Sequence, residues 1–173
     1  MVAFSVIREI GPVITALICA GKIGSSIGAE LGSMRVTEQI DAMEVSGTNP
    51  FKYLVVTRVM ACTLMLPVLV TIADLISLYA SYIGVNFKDV VSINLFYHNV
   101  FDSLMFGDIL PAMIKTYFFG FAIGIIGCYK GYYSNKGTEG VGLAANSAVV
   151  VSSLVIFILD LVAVQIADIM GLT

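Results

Sequence analysis

Charged residues are scarce in this sequence. Of its 173 residues only 12% are Asp, Glu, Lys or Arg, whereas 58% are hydrophobic, and the mean hydropathy is +0.96. This composition excludes a soluble domain and indicates an integral membrane protein. The net charge of −3 leaves no basic patch, which argues against a nucleic acid as a partner.

Residues that commonly hold metals or nucleotides are also few. The cysteines Cys19, Cys62 and Cys128 lie in apolar runs without Cys-x-x-Cys spacing, which predicts buried apolar side chains and no zinc site or disulfide. We interpret the one histidine, His98, as a solvated loop residue. Gly21-Lys22 lacks the other residues of a phosphate-binding loop, so we predict no nucleotide or metal site in this chain.

Long apolar segments dominate what is present. Each is long enough to cross a hydrocarbon core of about 30 Å at a helical rise of about 1.5 Å per residue. We predict an all-α polytopic bundle with four transmembrane helices and a short cytoplasmic helix between the first two. The spans are predicted at 2–29, 59–82, 109–129 and 144–169, with a glycine-rich loop over 130–142.

The distribution of basic residues predicts the orientation of the spans in the membrane. They are concentrated in the first and third connections, which the positive-inside rule places in the cytoplasm. Four spans without a soluble domain are few for enclosing a transport path, so we expect an oligomer, most simply a two-fold dimer. The bases of these two connections are Arg35, Lys52, Arg58, Lys130 and Lys136, whereas the second connection has only Lys88.

One polar stretch, residues 30–50, separates the first two spans. It predicts a short amphipathic helix with Thr37 as its N-cap and Gly47 after its C-terminus, followed by a helix capped by Asn49. Its polar face carries acids, which anionic lipid head groups repel, so a membrane-surface helix is the weaker interpretation. A protein-docking helix and a solvated connecting helix both fit the pattern. The apolar stripe is Val36, Ile40, Met43 and Gly47, and the acids are Glu38, Asp41 and Glu44.

Charged residues inside predicted spans are functional candidates, because unpaired charge is costly in the bilayer. Glu9, Lys115 and Asp160 come from three different spans. They favour a water-filled or head-group-binding cavity, and the alternative is a structural ion pair around Lys115.

A stripe of small residues runs along the inner half of the first span. Gly24, Gly28 and Gly32 recur at intervals of four, which places them on one helix face. Such a stripe lets helix backbones approach closely, so we predict a packing face.

The chain resembles the MlaE-type permeases, the membrane subunits of Mce-associated ABC transporters that move phospholipids and related lipids. The resemblance extends over essentially 1–173 as a single permease domain and is weaker over 85–107. Family members also carry an N-terminal interfacial helix and one further span before the first matching motif, so we expect this sequence to be a fragment or to start late. The matching motifs are Arg8-Glu9-Ile10-Gly11-Pro12, residues 20–25, 29–45 and 49–58, and the late segment 131–142.

The resemblance implies a non-catalytic homodimeric permease in the bacterial inner membrane. It would use a partner's ATP hydrolysis to move phospholipid between the inner membrane and the outer envelope, maintaining outer-membrane lipid asymmetry. The helix at 37–45 would be the coupling helix that docks a cytoplasmic ABC ATPase, which binds the ATP and Mg²⁺, so no cofactor is expected in this chain. The coupling residues would be Thr37, Glu38, Gln39, Asp41 and Glu44.

The same resemblance implies a lipid pocket that opens outward and faces a periplasmic Mce-domain lipid-binding protein. Glu9 and Lys115 match its polar lining, Asp108 and Asp160 are further members, and Arg8 is a second cation that would meet a phosphate. Two other functions remain open. One is an ion-coupled secondary carrier that uses Glu9, Lys115 and Asp160 as a relay, and the other is a structural scaffold whose charges are only ion pairs.

Overall fold

A computed structural model describes residues 9–87, 92, 96, 98, 106–135 and 137–169, with the backbone alone for 106–110. Its helices are α1 (Gly11–Val36), α2 (Gln39–Val45), α3 (Phe51–Asn86), α4 (Phe106–Tyr132) and α5 (Thr138–Ile169). No strand occurs in this described part of the chain, and four of the helices are long and apolar enough to cross a membrane. The predicted all-α bundle of four spans and one short helix is confirmed.

The ends of the spans differ from the prediction. Helix α1 continues past Ala29 to Val36, α4 ends at Tyr132, and α5 begins at Thr138. The glycine-rich loop predicted over 130–142 is therefore wrong, because only residues 133–137 lie between α4 and α5. Within this connection Gly137 has a φ of 123°, a conformation that suits glycine.

Helix α4 is the central helix of the bundle. It packs against α1, α3 and α5, and half of its apolar window (50%) is buried, compared with 17% for α3 and for α5. The contacts of its glycines show that α4 runs antiparallel to α3 and parallel to α1. The connection that holds α2 and the connection between α4 and α5 therefore lie at the same end of the bundle, which we call the coupling end.

Two apolar clusters fill the interior. The cluster nearer the coupling end includes Ile40 of α2. Its side chain is fully buried and packs α2 against that end of the bundle. The other cluster joins all four long helices. The first cluster contains Ile27, Leu31, Ile40, Leu54, Val59 and Cys128, and the second contains Ala16, Cys19, Ala20, Leu66, Phe119, Ile123 and Ile156.

The junction between α1 and α2 corrects one detail of the prediction. Thr37 is not the N-cap of α2 but the C-cap of α1, and its hydroxyl donates to the carbonyl oxygen of Ser33 at 2.9 Å. Glu38 holds the N-cap position with a left-handed φ of 57°. This single left-handed residue turns the chain sharply, so α2 folds back on the bundle through Ile40.

The other end of α2 agrees with the sequence. Gly47 has a φ of 79° and donates its N–H to the carbonyl of Glu44, while the N–H of Thr48 reaches Met43, which is the Schellman arrangement. The side-chain oxygen of Asn49 then accepts the N–H of Lys52 at 3.2 Å, as predicted for the cap of α3.

Candidate functional site

Lys115 lies between two carboxylates. Its Nζ donates to Oε2 of Glu9 at 2.8 Å and to Oδ1 of Asp160 at 3.0 Å. Glu9 lies two residues before α1, Lys115 lies in α4 and Asp160 lies in α5, so the contacts join three parts of the bundle. We call Glu9, Lys115 and Asp160 the charged triad. The structure thus brings together three residues that the sequence analysis named, and these contacts alone fit both a head-group site and a structural ion pair.

The three side chains differ in exposure. The exposed fraction is 6% for Lys115, 22% for Asp160 and 38% for Glu9. The ammonium is therefore enclosed, and the Glu9 carboxylate is the member most open to the surroundings. Burial of a lysine in a membrane span requires such partners, because an isolated ammonium there is strongly destabilised.

The charged triad lies far from the coupling end. Lys115 is about 25 Å along α4 from Tyr132, at a rise of about 1.5 Å per residue. The positive-inside orientation expected from the sequence places it in the outer half of the membrane. Arg8 lies outside the described residues, as does the side chain of Asp108, so their predicted place in the same pocket stays a prediction.

An apolar groove of about 400 Å³ opens between α4 and α5 beside Lys115. Its lining contains no other charged side chain among the described residues. A groove of this character accepts hydrocarbon, and Lys115 is the one member of the charged triad among its lining residues. The groove is lined by Pro111, Ile114, Lys115, Phe118, Phe119, Leu159, Val162, Ala163, Ile166 and Ala167.

The outer surface of α2 forms a second candidate site at the coupling end. Its exposed side chains include three of the residues predicted to dock a partner, Glu38, Gln39 and Glu44, and Thr37 is exposed just before it. The apolar Val45 is 91% exposed. We call this set, together with the half-buried Asp41, the α2 surface.

Ion pairs stiffen the coupling end. Arg35, at the end of α1, contacts Asp41 of α2 at 2.7 Å. Arg58 of α3 contacts Glu30 of α1 at the same distance, 2.7 Å. These contacts tie α2 to α1 and α1 to α3.

The predicted glycine stripe of α1 faces α5. A Cβ on Gly28 would lie 3.2 Å from the carbonyl oxygen of Ala144. One on Gly24 would lie 3.6 Å from Cγ2 of Ile123 in α4 and 3.9 Å from Oγ of Ser152 in α5. A Cβ on Gly32 would lie 3.3 Å from Oγ of Ser134, in the connection between α4 and α5. The stripe thus packs within the chain.

Helix α4 has glycine contacts that are closer than those of the α1 stripe and that were not predicted from the sequence. A Cβ on Gly120 would lie 2.6 Å from the carbonyl oxygen of Cys62 in α3, and one on Gly124 would lie 2.9 Å from Cα of Val59. Gly127 and Gly131 approach α1 in the same way. The sequence contained a signal for these contacts. Gly120 and Gly124 are four residues apart, as are Gly127 and Gly131, and this spacing favours close helix contact.

Metal chemistry finds no support in the described residues. They contain no group of three His, Cys, Asp or Glu side chains placed to hold an ion. All three cysteines lie within the described part and are free thiols, with Cys19 and Cys128 buried and Cys62 partly buried.

Comparison with known proteins gives the family. Residues 1–166 match the family model described as Permease MlaE. A probable ABC transporter permease protein of Rickettsia prowazekii is 46% identical over 158 residues, which are 91% of this chain and 61% of that protein. A probable ABC transporter permease protein of Synechocystis is 39% identical over 158 residues, 91% of this chain and 60% of that protein.

A plant relative also matches. The Arabidopsis thaliana protein named TRIGALACTOSYLDIACYLGLYCEROL 1, chloroplastic, is 41% identical over 160 residues, 92% of this chain and 45% of that protein. The chain spans about three fifths of the length of the first of these relatives, at 61%. On the family match and these identities, the chain belongs to the MlaE permease family.

Proposed function

We propose that this chain forms the membrane path of an ATP-driven phospholipid transporter in the bacterial inner membrane. The observation that carries the proposal is the placement of a charged triad beside an apolar groove at one end of the bundle, with the α2 surface at the other. A phospholipid has the same two-part chemistry, because its acyl chains suit the groove and its head group suits the charged triad. The name of the plant relative, which contains that of a glycerolipid, adds support for a lipid cargo.

Helix α1 supplies a mechanical link between the two ends. Glu9 lies just before its start, and α2 follows its end after a two-residue turn. An ATPase that moves α2 would tilt α1 and so shift Glu9 relative to Lys115 on α4. The salt bridge of Glu9 with Lys115 would then strengthen or break with the nucleotide cycle, which would alternately close and open the charged triad to a head group.

The proposed assembly contains partners on both sides of the membrane. A cytoplasmic ABC ATPase would bind the α2 surface and hydrolyse the ATP, and a periplasmic Mce-domain protein would exchange lipid with the outer end. Two copies of the permease would enclose the path, since four spans form a small bundle with extensive exposed apolar faces. Transport in this arrangement would serve the lipid asymmetry of the outer membrane.

The test of the lipid path uses the transporter complex purified from membranes and a photoreactive phospholipid. Lys115→Ala should weaken cross-linking to α4 and α5 while an ATPase still co-purifies at the wild-type ratio, because the α2 surface is at the opposite end. Lys130→Ala is the matched control, a lysine near the coupling end of the same helix. Equal cross-linking in wild type and Lys115→Ala would contradict a lipid site at the charged triad.

The partners are tested by the same purification. An ATPase and an Mce-domain protein should accompany the tagged chain. Transport by the chain alone in liposomes, driven by an ion gradient without ATP, would instead support a secondary carrier with the charged triad as its relay.

A further inference from the structure

The charged triad contains one cation and two anions. A lysine ammonium has three N–H donors, and Lys115 directs two of them to Glu9 and Asp160. One carboxylate would suffice to neutralise the ammonium. The three side chains of the charged triad therefore have a formal charge of −1 when both acids are ionised. Among the described residues, which do not include Arg8, no other cation lies within ion-pair distance of either carboxylate.

The excess charge is on the accessible side. Glu9 is 38% exposed, whereas Lys115 is 6% exposed behind its two partners. A head group with only negative charge would add a further anion to a group that already has one carboxylate more than it has cations, and like charges repel strongly away from water. An amine cation would instead neutralise the excess charge. Because a carboxylate accepts several hydrogen bonds, Glu9 can contact the amine while it keeps its contact with Lys115.

Among the described residues, the lining of the apolar groove contains no further charged side chain that would counteract a preference for an amine cation. Apart from Lys115, its lining residues are all uncharged, so the acyl part of the site gives no reason to discriminate between head groups. We infer that the charged triad selects phospholipids whose head group carries an amine cation over phospholipids with a purely anionic head group, and that Glu9 is the residue that meets the amine. This inference rests on the proposed function, in which the charged triad receives a lipid head group.

The test compares three photoreactive phospholipids with identical acyl chains and ethanolamine, choline or glycerol head groups. Each is incubated with the purified complex in vesicles of neutral lipid, and labelling of α4 and α5 is quantified. The two amine lipids should label the wild type roughly ten-fold more than the glycerol lipid, the size expected for one charge-assisted hydrogen bond or ion contact. Ethanolamine above choline would indicate N–H donation to Glu9, and equal labelling by the two would indicate charge alone. Equal labelling by all three lipids would overturn the inference.

Variants identify the residue responsible. Glu9→Gln should abolish the preference while labelling continues, because Lys115 and Asp160 remain as a neutral pair. Asp160→Asn removes the same excess charge from another helix and should also reduce the preference, which keeps the test decisive if Glu9→Gln does not assemble. Asp74→Asn is the control, an acid in the span α3 outside the charged triad, and should keep the wild-type preference. A preference that persists in Glu9→Gln would contradict the role of Glu9.

The outcome also separates this inference from the proposed function. If an assembled complex is labelled equally by all three lipids, the lipid site stands and the head-group selection is wrong. If none of the lipids labels α4 or α5 in an assembled complex, the proposed lipid path itself is wrong. Co-elution of the chain with its ATPase defines assembly in both cases.

Discussion

Gly131 of α4 lies so close to Gly28 of α1 that no side chain fits at residue 131. A Cβ there would lie 2.9 Å from the carbonyl oxygen of Gly28 and 2.7 Å from Cβ of Leu31. The neighbouring atoms belong to helix backbone or lie next to it, so they cannot move aside as the end of a flexible side chain would. The distance between α1 and α4 near the coupling end is therefore set by this glycine.

Replacing this glycine should loosen the bundle. Gly131→Ala should lower stability by about 1–3 kcal/mol, the usual cost of inserting a methyl group into a packed contact. The measurement is the temperature at which the purified complex loses its monodisperse elution peak. Gly142→Ala is the control, because a Cβ at that helical position meets nothing within 4 Å and alanine favours a helix. Identical behaviour of the two variants would contradict the packing argument.

Hydropathy alone was sufficient to predict the four spans. A chain that crosses lipid must satisfy its backbone internally and present apolar side chains, whatever its neighbours are. The ends of α4 and α5 were not predictable in this way. Gly131 and Gly140 are typical of loops in sequence, yet both lie in helices where they give room to a neighbouring backbone, and that reason exists only in the folded bundle.

The candidate site was predictable in part. The cost of intramembrane charge singled out Glu9, Lys115 and Asp160 from the sequence, but helix register decides which of them touch, and no local pattern encodes that register. The prediction of Thr37 as the N-cap of α2 was wrong for another reason. Thr37 has the side chain of an N-cap, but a threonine hydroxyl also donates to the carbonyl one turn earlier, and here it reaches Ser33.

Charge reversal on the α2 surface should release the ATPase. Glu38→Lys with Glu44→Lys changes two exposed side chains while Ile40 keeps α2 on the bundle, so the spans should stay folded. Asp41→Lys would add to the effect, and it would also remove the 2.7 Å contact with Arg35. The measurement is the ratio of ATPase to permease after purification, which should fall at least several-fold.

Glu139→Lys provides the control for this experiment. Glu139 is an exposed acid at the same end of the bundle, in the first turn of α5 and outside the α2 surface. It should leave the ATPase ratio unchanged. If the Glu38 and Glu44 variant still co-purifies with the ATPase at the wild-type ratio, the docking role of α2 is wrong.

At Ser152 of α5 we expect a substitution by alanine to stabilise the protein. Ser152 is 0% exposed, and its hydroxyl has no hydrogen-bond partner among the described residues. Ser152→Ala should therefore raise stability by about 1 kcal/mol, since it removes a desolvated polar group. Ser147→Ala is the comparison, because that hydroxyl donates to the carbonyl of Leu143 at 2.6 Å and should gain nothing. Reduced stability or reduced transport in Ser152→Ala would indicate that the hydroxyl has a ligand.

Variants of the charged triad should affect thermal stability and lipid transport separately. Lys115→Met leaves the Glu9 and Asp160 carboxylates together without their cation, and removing one partner of a buried ion pair typically costs about 3–5 kcal/mol. Neutralising all three groups, as Lys115→Met with Glu9→Gln and Asp160→Asn, removes the unpaired charge and should restore most of the thermal stability. Transport should not return, because the head group then meets no charged residue in the charged triad. Thermal stability and lipid transfer by the reconstituted complex are measured on the same preparations, and wild-type transfer by the neutral triple variant would show that the charged triad is only structural.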